Sequence, residues 1–421
     1  MRNRRNTRKR NVVLDTITNK NFIIICSILL AIILISTVFI KYRQYQDKMV
    51  IAKQAENLSK QTEEIFSSIE NTLKNPEESS TGEVRRTTAK IAAVGDILCQ
   101  MDMIEDAQTE GGYDFSHMFA GINKFINTAD IKLGTLETNF LDREFSGVKK
   151  YNSPIEFLQA VKQSGINLVS VAHNHELDYG EDGLNTTVEK IKEQDITITG
   201  LKENPEFTGT IKEIRGIKIA FLGYTYGLSN ENELSEEVKA KANIYSEELA
   251  KKDIEYAKAN SNYIIAIMHW GDVNKSEITD YQREITGFLV NNGVDMILGS
   301  HPSVVEPMEI VQNSEGRNIL VAYSLGNYIS SLKYENADVE LILNIQIAKT
   351  TDSDKAILEK VDYTPIYVLD NGNKAENRFE LTDMKQLALD YANGDTSRIT
   401  RKTYDQLVKK LENLQRIVNN K

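Results

Sequence analysis

Val171-Ala172-His173-Asn174-His175-Glu176-Leu177-Asp178-Tyr179-Gly180 decides how the rest of the chain is read. The apolar run over 166–171 has the composition of a buried strand, and the polar residues begin where it ends. Two histidines around an asparagine at that place are costly unless they bind something. The competing reading is a hydrogen-bonded turn fixed by Asp178 and Gly180. Further out, the same placement recurs. Gly95-Asp96 follows the run 91–94 and Thr135-Leu136-Glu137 follows 131–133. His269-Trp270-Gly271 follows 263–268, and Gly299-Ser300-His301-Pro302 follows 294–298. In α/β proteins the loops at the carboxyl ends of strands converge on one crevice. Asp, Glu, Asn and His gathered there suit a hard or borderline divalent metal. Each segment is ambiguous singly; the five together are not.

Between these points strands and helices alternate. Helices are expected over 184–194, 247–259 and 281–291, the last closed by Gly293. Another starts at Ser153-Pro154, with serine as N-cap and proline in the first turn, and ends at Gly165. After His301 extended runs crowd together at 304–311, 318–323 and 339–347. That shift from alternation to consecutive strands predicts a mixed sheet or a second sheet packed on the first. From about 350 onward the signals thin out, although 403–418 has the pattern of a terminal amphipathic helix.

The N-terminus is set apart. Residues 22–40 are apolar except for Ser27, Ser36 and Thr37, long enough to span a hydrocarbon core of ~30 Å. The run is too long for a signal peptide and is followed by Lys41-Tyr42-Arg43-Gln44 rather than a small-residue cleavage site, which predicts an uncleaved anchor. Arg2, Arg4, Arg5, Arg8, Lys9, Arg10 and Lys20 precede it, so the basic bias puts the start of the chain in the cytoplasm and the remainder outside. Ile51, Ala55, Leu58, Thr62, Ile65 and Ile69 then recur at heptad spacing, the mark of either a self-associating stalk or a single solvated helix. Asn75-Pro76 ends that stretch, and 77–82 reads as a linker.

The chain carries a net charge of −11, and because the first forty residues are strongly basic the remainder stands at −17. An acidic outer domain argues against nucleic acid and against anionic lipid. It leaves an anionic substrate open, since a bound metal reverses the local field. The two cysteines cannot staple the outer domain, because Cys26 lies in the anchor. Cys99 reads as a small buried apolar residue.

Taken in order, Gly95-Asp96, Leu136-Glu137, 172–180, His269-Trp270-Gly271, Gly299-Ser300-His301-Pro302 and Tyr323-Ser324-Leu325-Gly326-Asn327 resemble the motifs of the capsule-synthesis CapA family, which includes the PgsA component of poly-γ-glutamate synthesis. The resemblance covers roughly 90–330. It implies an α/β fold of two mixed β-sheets packed face to face and flanked by helices, like calcineurin-type metallophosphoesterases, with a metal centre at the strand ends. The expected organisation is a cytoplasmic basic tail over 1–21, a transmembrane anchor over 22–40, a helical stalk and linker over 41–88, the CapA-type domain over 89–349 and a C-terminal extension with a terminal helix over 350–421.

Carried over residue by residue, the resemblance makes Asp96 and Glu137 metal carboxylates, and Asn174, His269 and His301 ligands of the second metal with Glu137 bridging. His175 would stand beside the reacting group as general acid or oxyanion stabiliser. Asp178, Gly180 and 324–327 would shape the loops. Departures from the family pattern are Thr135 and His173 where Asn is usual, Val273 where Glu is usual, and Ser303 where a second His belongs. A hydroxyl is a poor substitute for imidazole, so one tight divalent ion (Mn, Zn, Fe or Mg) is expected rather than two. The implied function is a cell-surface protein of capsule-polymer synthesis, export or attachment, acting beside membrane synthase subunits on an anionic polymer such as poly-γ-glutamate. The alternatives are a metal-dependent hydrolase of phosphodiester or amide bonds in envelope polymers, and a polymer-binding scaffold with a relic site.

Overall fold

A computed structural model describes residues 24–53, 56, 85–373 and 376–418. The expected basic tail, the linker and the heptad positions from Ala55 to Ile69 lie outside the described residues. Ile24–Lys53 is one continuous helix, long and apolar enough to cross a membrane. The strands are, in chain order, β1 (Arg86–Ile97), the hairpin β2 and β3 (Gln108–Thr109, Gly112–Tyr113), β4 (Ile131–Leu136), the hairpin β5 and β6 (Ser146–Val148, Lys150–Asn152), β7 (Leu168–Ser170), β8 (Thr197–Thr199), β9 (Thr210–Ile214), β10 (Ile217–Thr225), β11 (Tyr263–His269), β12 (Met296–Ser300), β13 (Met308–Gln312), β14 (Asn318–Ala322), β15 (Asn327–Ile329), β16 (Val339–Thr350), β17 (Ile357–Asp370) and β18 (Phe379–Asp383).

Two mixed sheets follow. The first runs β18-β17-β16-β1-β4-β7-β8, with β15 pairing β1 as well. The second runs β13-β14-β12-β11-β10-β9. Strands β1, β4, β7 and β8 are parallel neighbours, as are β10, β11, β12 and β14. Parallel strands covered on both faces are continuously apolar, and β11 (Tyr-Ile-Ile-Ala-Ile-Met-His) is buried at every residue. Its alternate side chains divide two cores. Ile265 and Ile267 meet Ile91, Ala93 and Leu133 of the first sheet in the layer between the sheets. Ile264, Ala266 and Met268 face Ile254, Ile285 and Leu289 on the outer helices Glu247–Asn260 and Asp280–Asn292. The other face of the first sheet, with Ala92 and Val94, is covered by Phe157 and Leu158 of helix Ile155–Gln163. The architecture is therefore helix, sheet, sheet, helix.

Local signals acted as sequence chemistry dictates, with exceptions. Thr279 and Gln282 form a capping box at the start of Asp280–Asn292, and Gly293 closes it at φ 111°. At the helix after Ser153-Pro154 the expected cap is absent. Pro154 itself takes the N-cap position, and the Ser153 hydroxyl pairs with Thr138 Oγ1 at 2.6 Å. The expected strand over 304–311 is only Met308–Gln312, because Val305 instead bridges Leu325. Nor does the sheet stop at residue 349. β17 pairs with β16 from Val339↔Tyr367 to Ala348↔Ile357, and β18 extends the layer. The amphipathic terminal helix spans Arg401–Val418 and buries Tyr404, Leu407, Leu411, Leu414 and Val418.

Candidate metal centre

Because β1, β4, β11 and β12 are parallel or share one direction across the sandwich, their carboxyl ends deliver Asp96, Glu137, His269 and His301 to one place. Glu137, His269 and His301 are buried, with ligand atoms all within 4.8 Å of one another. His269 Nδ1 lies 3.4 Å from Asp96 Oδ1, and the His301 backbone N–H donates to Asp96 Oδ2 at 2.7 Å. Asn174 Oδ1 is 2.9 Å from His269 Nε2. The five residues expected as ligands are thus brought together. Backbone geometry is specialised to allow this. A Cβ on Gly95 would sit 1.7 Å from Gly326 O, so the approach that seats Asp96 requires glycine there. His301 adopts φ 100° and Ser303 φ 60°, left-handed values that bulky residues adopt only where their surroundings impose them.

His175 is fixed from behind. Its Nδ1 lies 2.9 Å from Asp178 Oδ2, and the same carboxylate accepts the Tyr151 N–H at 2.9 Å. A carboxylate can only accept, so the His175 proton sits on Nδ1 and leaves Nε2 facing the centre. Nε2 is 3.9 Å from Glu137 Oε1 and 3.3 Å from Ser229 Oγ. Ser229 Oγ in turn accepts from Asn174 Nδ2 at 2.6 Å, linking His175 to the ligand cluster.

The donor set fits a divalent cation. Asp96 Oδ1 is buried without a hydrogen-bond partner, a costly state that a cation would relieve. Burial, and then the charges of Asp96 and Asp178, push the Glu137 carboxyl well above its usual range. Burial and the neighbouring His269 and His175 hold His301 well below the usual imidazole value, so it stands neutral, the form that ligates. His173, held neutral for the same reasons, turns Nδ1 toward the His175 backbone N–H at 3.1 Å. Ser303 Oγ turns to the His301 carbonyl at 3.4 Å. Cys99 is fully buried, and burial pushes its thiol up, away from the ligating thiolate.

Two residues at this site carry no histidine or acid signal. The Tyr226 ring lies 4.8 Å from that of His301, with its N–H donating to the His269 carbonyl at 2.9 Å, and it is 39% exposed at the lip. Tyr151 packs edge-on against His175 at 4.5 Å. Tyr226 follows β10 directly, so the strand-end rule that found His269 applies to it too.

The profile of the family described as "Bacterial capsule synthesis protein PGA_cap" matches residues 90–332. The capsule biosynthesis protein CapA of Bacillus anthracis is 25% identical over 247 residues, 56% of this chain and 58% of that protein. The PGA biosynthesis protein CapA of Bacillus subtilis strain 168 is 25% identical over 181 residues, 41% of this chain and 45% of that protein. The chain thus matches about half the length of these relatives. Distant likenesses among solved structures include the NAD nucleotidase NadN of Haemophilus influenzae (TM-score 0.43, 15% identity, 78% of this chain and 67% of that one). A structure described as a 5'-nucleotidase from Staphylococcus aureus has a TM-score of 0.40 at 12% identity, covering 78% of this chain and 58% of that one. The profile match takes in more than half of the chain and every strand-end loop described above, and on that basis the chain belongs to the bacterial capsule synthesis protein PGA_cap family.

Proposed function

We propose that the chain is a membrane-anchored protein of capsule-polymer synthesis, export or attachment, that its polymer is poly-γ-glutamate, and that its centre holds one tightly bound divalent cation. The observation that carries the reading is the buried Glu137–His269–His301 cluster lying within the region matched to the capsule family. The basic residues before the apolar helix support an outside location for the domain, with synthase subunits in the same membrane as its neighbours.

In this reading Glu137, Asn174, His269 and His301 hold the cation, and Asp96 completes its surroundings. When bound, the ion supplies Lewis-acid polarisation of an anionic oxygen of the substrate. Asp178 keeps His175 in one tautomer and aims Nε2 at the space beside Glu137. Protonated there, Nε2 donates to a leaving group or a developing oxyanion; neutral, it takes a proton from an attacking water. Tyr151 and Tyr226 flank that space, and their hydroxyls are neutral donors for an anion. Burial and the charge of Glu137 raise both phenols further.

A metal-dependent hydrolase of phosphodiester or amide bonds in envelope polymers is the second reading, favoured over a relic scaffold by the His175–Asp178 pair. The test is a cleavage screen of the full-length, metal-loaded protein on phosphodiesters and on poly-γ-glutamate. His175→Ala should lower any activity found by about 10²-fold or more while metal content stays unchanged. Equal activity in the variant would remove His175 from the chemistry, and no cleavage of either class would leave the scaffold reading.

A further inference from the structure

The helix that carries the apolar segment does not end free in solvent. It continues past Ile40 to Lys53, and Gln44, Asp47 and Ile51 share one face at spacings of three and four. That face meets the start of helix Arg401–Val418 and the turn at Gly394 that follows helix Met384–Ala392. Ile51 is only 3% exposed and belongs to the same apolar core as Leu407 and Leu411. Arg401 Nη1 donates to Asp47 Oδ2 at 2.5 Å, and the Tyr404 hydroxyl donates to the Asp47 carbonyl at 3.3 Å. Gly394, between the two helices, admits Gln44, whose Nε2 an added Cβ would meet at 3.2 Å. A buried aliphatic side chain, an ion pair and a main-chain acceptor on one face make an interface, which a solvated spacer does not have.

The far end of the terminal helix reaches the metal loop. Leu414 and Ile417 line one small cleft with Val304 and Val305, the residues just after Ser303. Lys410 in the same stretch pairs with Asp338. One helix therefore touches the anchor near its start and the loop of His301 near its end.

We infer that the C-terminal helix Arg401–Val418, with the Gly394 turn before it, is a dock for the juxtamembrane turns of the anchor, and that it holds the metal centre near the bilayer instead of at the tip of a stalk. At 1.5 Å per residue, Asp47 lies about 10 Å beyond Ile40 and Ile417 about 24 Å beyond Arg401; with about 10 Å between helix axes, the His301 loop stays within about 50 Å of the end of the apolar segment. This rests on Ile24–Lys53 being the membrane anchor.

The test uses the full chain carrying Asp47→Cys and Arg401→Cys, with a protease site inserted in the segment 57–84, treated with a short bis-maleimide. After cleavage the two fragments should stay joined, with about tenfold more joined chain than in either single variant, because the contact fixes a high effective concentration. The yield should be the same in native membranes and in detergent. Fragments that separate in a double variant that still melts cooperatively overturn the dock. Joining in detergent but not in membranes shows that the dock does not coexist with an inserted anchor, and overturns the membrane-proximal placement. A charge swap guards against a misfolded cysteine variant. Arg401→Asp should lower the melting temperature by about 2–4 °C, and adding Asp47→Arg should restore most of it. No drop, or no restoration, also overturns the proposal.

Discussion

At the β17–β18 edge, Asp370 is partly exposed and accepts from Lys333 Nζ and from Arg378 Nε, each at 3.0 Å. Burial opposes its ionisation, yet the bonds from Arg378 and Lys333 prevail and bring the carboxyl down to about 2. At the strand ends Glu137 is buried, and burial with the charges of Asp96 and Asp178 drives its carboxyl the other way. Among the described residues neither Asp96 nor Glu137 pairs with Lys or Arg; the basic groups beside them are the rings of His269 and His175. The difference separates an ion pair built from the chain's own side chains from a cluster of potential metal donors. Asp370 carries its cation in the sequence, whereas the centre gathers carboxylates and imidazoles, a donor set that suits a divalent cation.

The largest expected effect tests the second half of that contrast. A divalent ion binding only the folded state stabilises it by RT ln(1 + [L]/Kd), about 2.7 kcal/mol at a hundredfold excess over Kd. His269→Ala should abolish this metal-dependent melting shift while the metal-free protein still folds, and thermal melts with and without added Mn or Zn read it. An undiminished shift would take His269 out of the site.

Glu306 sharpens the comparison, because it is a buried carboxyl outside the ligand cluster that accepts from an amide, Gln282 Nε2 at 2.7 Å. Burial raises it from 4.5 to about 8. Its contribution to stability is complete below pH 4.5, where both states are protonated, and is lost as pH rises through about 8. The loss between pH 5 and 6.5 should be about 2 kcal/mol, and Glu306→Gln should not show it. Urea melts of both proteins at the two pH values decide, and equal slopes would count against a protonated Glu306. Asp370→Asn should have the smallest effect, about 1 kcal/mol or less, because the pair is partly exposed. The sign is opposite. That contribution is present above pH 3.8 and is lost as pH falls through about 2, so the variant and the parent should converge in acid.

The strand ends were legible because a polar residue closing a buried, mainly apolar run is physically expensive, and β4, β11 and β12 present their acid and histidines in that way. Tyr226 stands at the end of β10 in the same way, but a tyrosine after an apolar strand carries no such cost and so gives no signal. Tyr151 had no signal at all, since it sits in a polar hairpin and reaches His175 only through the fold. β17 was illegible for a different reason. Its first half exposes Lys360 and Asp362, and Pro365 interrupts the pattern; its strand character comes from pairing along β16. Ser153-Pro154 marked the helix start correctly but not the cap, because Thr138 captured the serine hydroxyl.

In the proposed function the Glu137–Asn174–His269–His301 side of the centre binds a divalent ion and the Ser303 side does not. Metal stoichiometry of the full-length protein, measured by elemental analysis after removal of loosely held ions, tests it most directly. Close to one tightly bound divalent metal per chain is expected, because Ser303 Oγ is turned to its own loop and no second imidazole replaces it. No retained metal would contradict the assignment of the cluster, and two tightly bound metals per chain would contradict the division between its two sides.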